Sequence, residues 1–111
     1  MVRSAKKSKQ FDYDYDELFP LCEEAVYRSG FTLKESDELT GHIEAVNSSF
    51  GHFNEFITIE VGLDGTVLIQ SESPPEIALD MLGLNSQNVT KFFVSLSDLF
   101  EEESSYRTIG P

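Results

Sequence analysis

One cysteine in 111 residues, Cys22, excludes an internal disulfide and a cysteine zinc cluster. Two histidines, His42 and His52, leave little material for a histidine metal site. No run of eighteen apolar residues occurs, which excludes a membrane-spanning helix of the ordinary kind. Basic residues are few: 8 against 20 acidic ones, a net charge of −12. A field of that sign repels phosphate backbones and anionic lipid, so nucleic acid is not an expected partner. There is no Gly-rich phosphate loop and no G-x-S-x-G elbow. These absences remove the commonest enzyme signatures, and no catalytic residue, metal or cofactor is expected.

The length supports one domain. Charge is spread unevenly. Arg3, Lys6, Lys7 and Lys9 give the first nine residues +4, and the remainder carries −16. Residues 1–10 are Lys- and Ser-rich and lack periodicity, so they are expected as a disordered basic tail. They have no apolar core of the secretory type, which leads to a cytoplasmic expectation. A single α+β domain should span 11–103, followed by a loose tail over 104–111.

Apolar spacing predicts a first helix from about Asp16 to Ser29, with Leu18, Leu21, Cys22, Ala25 and Val26 on one stripe. Asp16 suits its N-cap and Gly30 its C-terminal cap. Four strands follow: Phe31 to Lys34, Gly41 to Asn47, Glu55 to Val61, and Thr66 to Ser71. Glu55 to Val61 alternates most clearly, with Ile57, Ile59 and Val61 on one side. Asp64-Gly65 marks a hairpin turn. Leu68 breaks the alternation of the last strand, which implies either a second covered face or a contact surface. Pro74-Pro75 stops the sheet, and Glu76 to Leu82 reads as a short helical turn. A closing helix starts near Asn85 or Ser86, with Val89, Phe92, Phe93, Leu96, Leu99 and Phe100 in register, and Glu101 to Glu103 should fray its end. The order α-β-β-β-β-α with short connections predicts a two-layer sandwich. Its sheet is an antiparallel four-stranded meander with two helices on one face.

Cys22 falls on the apolar stripe and reads as core packing. His42 and His52 read as exposed polar residues. Asp12, Asp14 and Asp16 have the first spacing of a calcium loop but lack its glycine, so a solvated acidic face is the better reading. Phe50, Phe53 and Phe56 stand in an otherwise polar stretch. Two readings remain open: the rings fold over the sheet edge, or they form a contact surface for a partner. The alternating Phe11, Tyr13 and Tyr15 form a second candidate surface, an arm for strand addition or dimer contact.

The strings from Gly30 to Asp37, Gly41 to Ala45, Ile57 to Val61, Asp64 to Ser71 and Asn85 to Val89 resemble small uncharacterised bacterial α+β domains. The resemblance implies a helix, a strand meander and a closing helix over about residues 18–100, and it brings no catalytic residue. A second similarity, in acidity, length and leading helix, is to the small acidic chaperones of bacterial secretion systems. The function this supports is a non-enzymatic interaction module whose partner is another protein, a second copy included, bound through Phe50, Phe53 and Phe56. The alternatives are a chaperone for an extended peptide and an enzyme without a recognisable motif.

Overall fold

The computed structural model describes residues 4–75 and 83–109. Its elements run β1 (Ser4–Gln10), α1 (Tyr15–Arg28), β2 (Thr32–Asp37), β3 (His42–Asn47), β4 (Glu55–Val61), β5 (Thr66–Glu72) and α2 (Leu84–Ile109). The strands form one antiparallel sheet in the order β1-β5-β4-β3-β2. The α+β class and the meander of β2 to β5 are as the pattern predicts. The sheet has five strands rather than four, and the order begins with a strand.

The extra strand is the segment expected as a disordered tail. Ser4–Gln10 has no apolar alternation of its own, so nothing local marks it as a strand. Its partner makes it one: β1 pairs with β5 from Ser4↔Glu72 to Gln10↔Thr66, satisfying a backbone edge that would otherwise lie open. The register puts Lys7 and Lys9 on the side of Ile69 and Val67. The Lys9 ammonium stands 4.9 Å from the centre of the Phe93 ring, a cation–π contact. Lysines on an edge strand also oppose the addition of a further chain.

The C-terminal expectation also needs correction. Rather than fraying at Glu101 to Glu103 and ending in a loose tail, α2 runs on to Ile109. The negative end of the helix therefore lies beyond the glutamates, which removes the dipole penalty. Glu102 instead takes both guanidinium nitrogens of Arg28, one at 2.9 Å, tying the end of α1 to α2. The turn expected over Glu76 to Leu82 lies outside the described residues. Helix α1 is capped by Asp14 rather than Asp16: the N–H groups of Glu17 and Leu18 donate to the Asp14 carbonyl.

Both helices cover one face of the sheet. Leu18, Phe19, Cys22, Ala25 and Val26 of α1 and Val89, Phe92, Phe93, Leu96 and Leu99 of α2 share one buried cluster with Ile43, Ala45, Ile57, Ile59, Val61, Val67 and Ile69. The period-2 faces of the strands and the 3.6-period stripes of the helices meet there. The arm Phe11, Tyr13 and Tyr15 belongs to this packing and is not a free surface. Tyr13 stacks on Phe100 at 4.4 Å, Phe11 lies against Phe93 and Phe100, and the Tyr15 hydroxyl donates to the Glu38 carbonyl.

The β2–β3 turn depends on Gly41, at φ +79°. A Cβ there would stand 2.2 Å from the Val61 carbonyl oxygen. The Gly41 carbonyl also accepts the Val61 N–H at 2.8 Å, so the backbones cannot separate without losing that bond. Gly41→Ala should therefore lower unfolding stability by about 2 kcal/mol, from left-handed strain plus the clash. A urea midpoint equal to that of the unaltered protein would contradict this close approach.

Candidate functional site

One end of the sheet is polar inside. Asn47 closes β3, Glu55 opens β4, and Ser71 lies near the end of β5, all three on the covered face and all buried. Residues Asn85 and Asn88 of α2 descend onto them and are buried too. The Asn88 amide nitrogen donates to Glu55 Oε1 at 2.9 Å and to Ser71 Oγ at 3.0 Å, and its oxygen accepts from Asn47 Nδ2 at 2.8 Å. The Ser71 hydroxyl passes on to Asn85 Oδ1 at 2.7 Å, and Asn85 Nδ2 to Ser73 Oγ at 2.8 Å. Buried polar groups persist when each finds partners, and these do.

Glu55 is the charged centre of this network. His52 Nδ1–H donates to Glu55 Oε1 at 2.5 Å, and the Phe53 N–H donates to Oε2 at 2.5 Å. Burial pushes the Glu55 carboxyl up, but the hydrogen bonds from Asn88, His52 and the Phe53 backbone outweigh it and hold it below its usual range. The pair corrects the reading of His52 as an exposed residue: it is 13% exposed and serves the buried carboxylate. His52 also borders a cleft of about 420 Å³ lined by Ser86, Gln87, Asn88, Thr90 and Lys91.

The loop between β3 and β4 is held at both ends by this network. Asn47 Oδ1 accepts the backbone N–H of Ser49 at 3.1 Å and also its hydroxyl. Asn54 takes a left-handed conformation, φ 62°, immediately before Glu55. From this frame the three phenylalanines project. Phe50 is fully exposed, Phe53 is 50% exposed and Phe56 is 52% exposed. Phe56 lies on the uncovered sheet face, opposite Val46 of β3 and Glu72 of β5. A cleft of about 490 Å³ there is lined by Lys34, Glu44, Val46, Phe56 and Thr58 together with Ala45 and Ile57. Leu68 shares this face, opposite Ser8 and Glu60, and is only half-buried.

Further along the same face the sheet is acidic. His42 Nδ1 meets Glu60 of β4, and Nε2 meets Glu44 Oε1 at 3.1 Å. Hydrogen bonds to Glu44 and then Glu60 hold the imidazole proton above its usual range, against partial burial. Glu35 of β2 lies close enough that its carboxylate, His42 and Glu44 could share a metal ion. The two histidines do not converge; each pairs with its own carboxylates.

Cys22 is buried in the core, where burial pushes its thiol up to about 12, so it is an inert packing group there. Asp14 and Asp16 serve the start of α1. Asn47, Glu55, Ser71, Asn85 and Asn88 were not legible as a unit. The visible signals were the His52-Glu55 spacing and the Asn-containing start of α2. No helix among the described residues is long and apolar enough to cross a membrane. Comparison with protein-family models and with curated proteins finds no match.

Proposed function

We propose that this chain is a non-enzymatic binding module that holds a basic segment of another protein against the uncovered sheet face and the β3–β4 loop. Phe50, Phe53 and Phe56 supply the apolar contacts. The observation that carries the reading is their exposure on an anchored loop and strand: large aromatic rings with half or more of their surface in water are unusual in an otherwise polar stretch. Aromatic side chains are enriched where protein surfaces meet. The anchoring by Asn47 and Glu55 means little backbone ordering is left for binding to supply.

Charge selects the partner class. Asp37, Glu44, Glu60 and Glu35 line the same face, and residues beyond the first nine carry −16. A Lys- and Arg-bearing segment is attracted there and an acidic one is repelled. The test uses a variant with Phe50→Ser, Phe53→Ser and Phe56→Ser together. Its stability should fall by no more than about 1 kcal/mol, because the rings are exposed. On an array of short peptides, the intact chain should retain Lys- and Arg-rich sequences that also carry an apolar residue, and the variant should lose them at least ten-fold. Equal retention by the two forms, or equal retention of acidic peptides by the intact chain, overturns the reading. If the intact chain instead associates with itself and the variant does not, the occupant is a second copy and the basic-segment assignment falls.

A further inference from the structure

We infer that the uncovered sheet face carries a divalent transition-metal site, with His42 Nε2 and one carboxylate oxygen each from Glu35 and Glu44 as ligands and Glu60 as the residue that orients the imidazole. One imidazole nitrogen of His42 and one carboxylate oxygen each of Glu35 and Glu44 lie within 4.8 Å of one another. Ligands of a tetrahedral zinc ion at its usual bond lengths stand about 3.4 Å apart. His42 Nε2 and Glu44 Oε1 are already 3.1 Å apart. Side-chain rotation alone closes the rest, since both glutamates are exposed and unobstructed rotors are cheap to move.

Two features separate this set from an ordinary solvated acidic patch. The first is the imidazole and how it is held. Glu60, one strand further on, occupies Nδ1 and so turns Nε2 toward Glu44. A carboxylate on the far nitrogen of a ligating histidine is the recurrent outer partner of zinc sites; it fixes both tautomer and ring orientation. The second is the strand register. Pairing of β2 with β3 shifts between Leu33 and Glu35, leaving Lys34 as the extra residue of a bulge. Without that bulge, alternation from Leu33 would send Glu35 to the covered side. With it, Glu35 lies directly opposite Glu44. Bulges re-aim side chains in this way. Two glutamates facing each other across a strand pair are destabilising by themselves. A cation between them turns that repulsion into coordination.

An imidazole with two carboxylates, and water in the remaining position, suits zinc better than magnesium or calcium, which favour all-oxygen shells. All four residues stand on strands, which hold ligands more firmly than loops. The site uses none of the phenylalanines but shares Glu35, Glu44 and Glu60 with the acidic face of the binding-module reading, and zinc titration without any peptide present tests it apart from that reading.

The experiment is calorimetric titration of the metal-free protein with zinc chloride, with magnesium chloride as comparator. Saturation at one zinc per chain is expected, with magnesium at least about a hundred-fold weaker. His42→Ala, Glu35→Gln and Glu44→Gln should each weaken zinc at least about ten-fold, and His52→Ala should leave it unchanged. Glu60 acts through His42, so Glu60→Gln is read in two ways: zinc affinity should fall about ten-fold or more, and the visible absorption of the cobalt-substituted protein should shift while its circular dichroism stays constant. Failure of zinc to saturate at millimolar concentration overturns the site. So does binding that survives His42→Ala, or that His52→Ala abolishes equally.

Discussion

Glu55→Ala is expected to lower the stability of the protein by about 3 kcal/mol, one of the two largest effects a single substitution should have here. The carboxylate is 1% exposed and accepts from three directions: Asn88, His52 and the Phe53 backbone. Alanine leaves His52 Nδ1–H and the Phe53 N–H without acceptors and Asn88 with only Ser71 and Asn47. Each buried donor so stranded costs about 1–3 kcal/mol. Glu55→Gln keeps an oxygen for part of this set and should lose about half as much. Urea unfolding measures both, with the midpoint falling at unchanged slope. If Glu55→Ala equalled the unaltered protein, the network would be ornamental and the β3–β4 loop would need another anchor.

The same residue sets a pH dependence. Its folded-state pKa lies below the usual 4.5. A carboxyl depressed in the folded state binds protons more readily when unfolded, so its stabilisation is complete above the unfolded value and drops out as pH falls through the folded value. The urea midpoint should therefore decline below about pH 4.5, and decline less steeply in Glu55→Gln, which has no proton to take up. Parallel profiles for the two proteins would contradict the depressed value.

Phe92→Ala is the other large effect, at about 3–5 kcal/mol. Phe92 is fully buried on α2, its ring edge-on to Phe93 at 5.4 Å between centres. It sits in the cluster where the α1 and α2 stripes meet the sheet. Removing it loses the transfer energy of the ring and leaves a cavity that strands and helices on all sides prevent from collapsing. A domain of this size is stable by about 5–15 kcal/mol, so the variant should remain folded only narrowly. Phe92→Leu conserves most of the volume and should lose far less. Thermal unfolding followed by tyrosine circular dichroism distinguishes the two. Similar melting for both would mean that the site relaxes and that the core is looser than its burial implies.

Where a segment's state depends on residues close in the chain, the pattern of residues was enough. β4 is legible because Ile57, Ile59 and Val61 alternate with residues that tolerate an open face, and its bounds agree with the reading. The β4–β5 turn follows from Asp64-Gly65, where Gly65 takes φ +90°. The two helices follow from apolar residues recurring every three or four positions. Phe50, Phe53 and Phe56 could be singled out by composition alone, yet whether they pack or project was undetermined, because burial is a property of the neighbours.

Tertiary contacts decided the rest. Ser4–Gln10 becomes a strand only because β5 presents an unpaired edge 56 to 68 residues away, and no local period encodes that edge. Glu55, at the start of a strand, has the appearance of a solvent-facing charge. Its burial is stable only once Asn88, 33 positions on, arrives with a donor. The placement of Glu35 opposite Glu44 depends on a one-residue bulge, and a slip of one residue exchanges the two faces of a strand. Local periodicity records which face of an element is apolar; long-range pairing decides which polar groups meet, and in this protein the candidate chemistry lies with those groups.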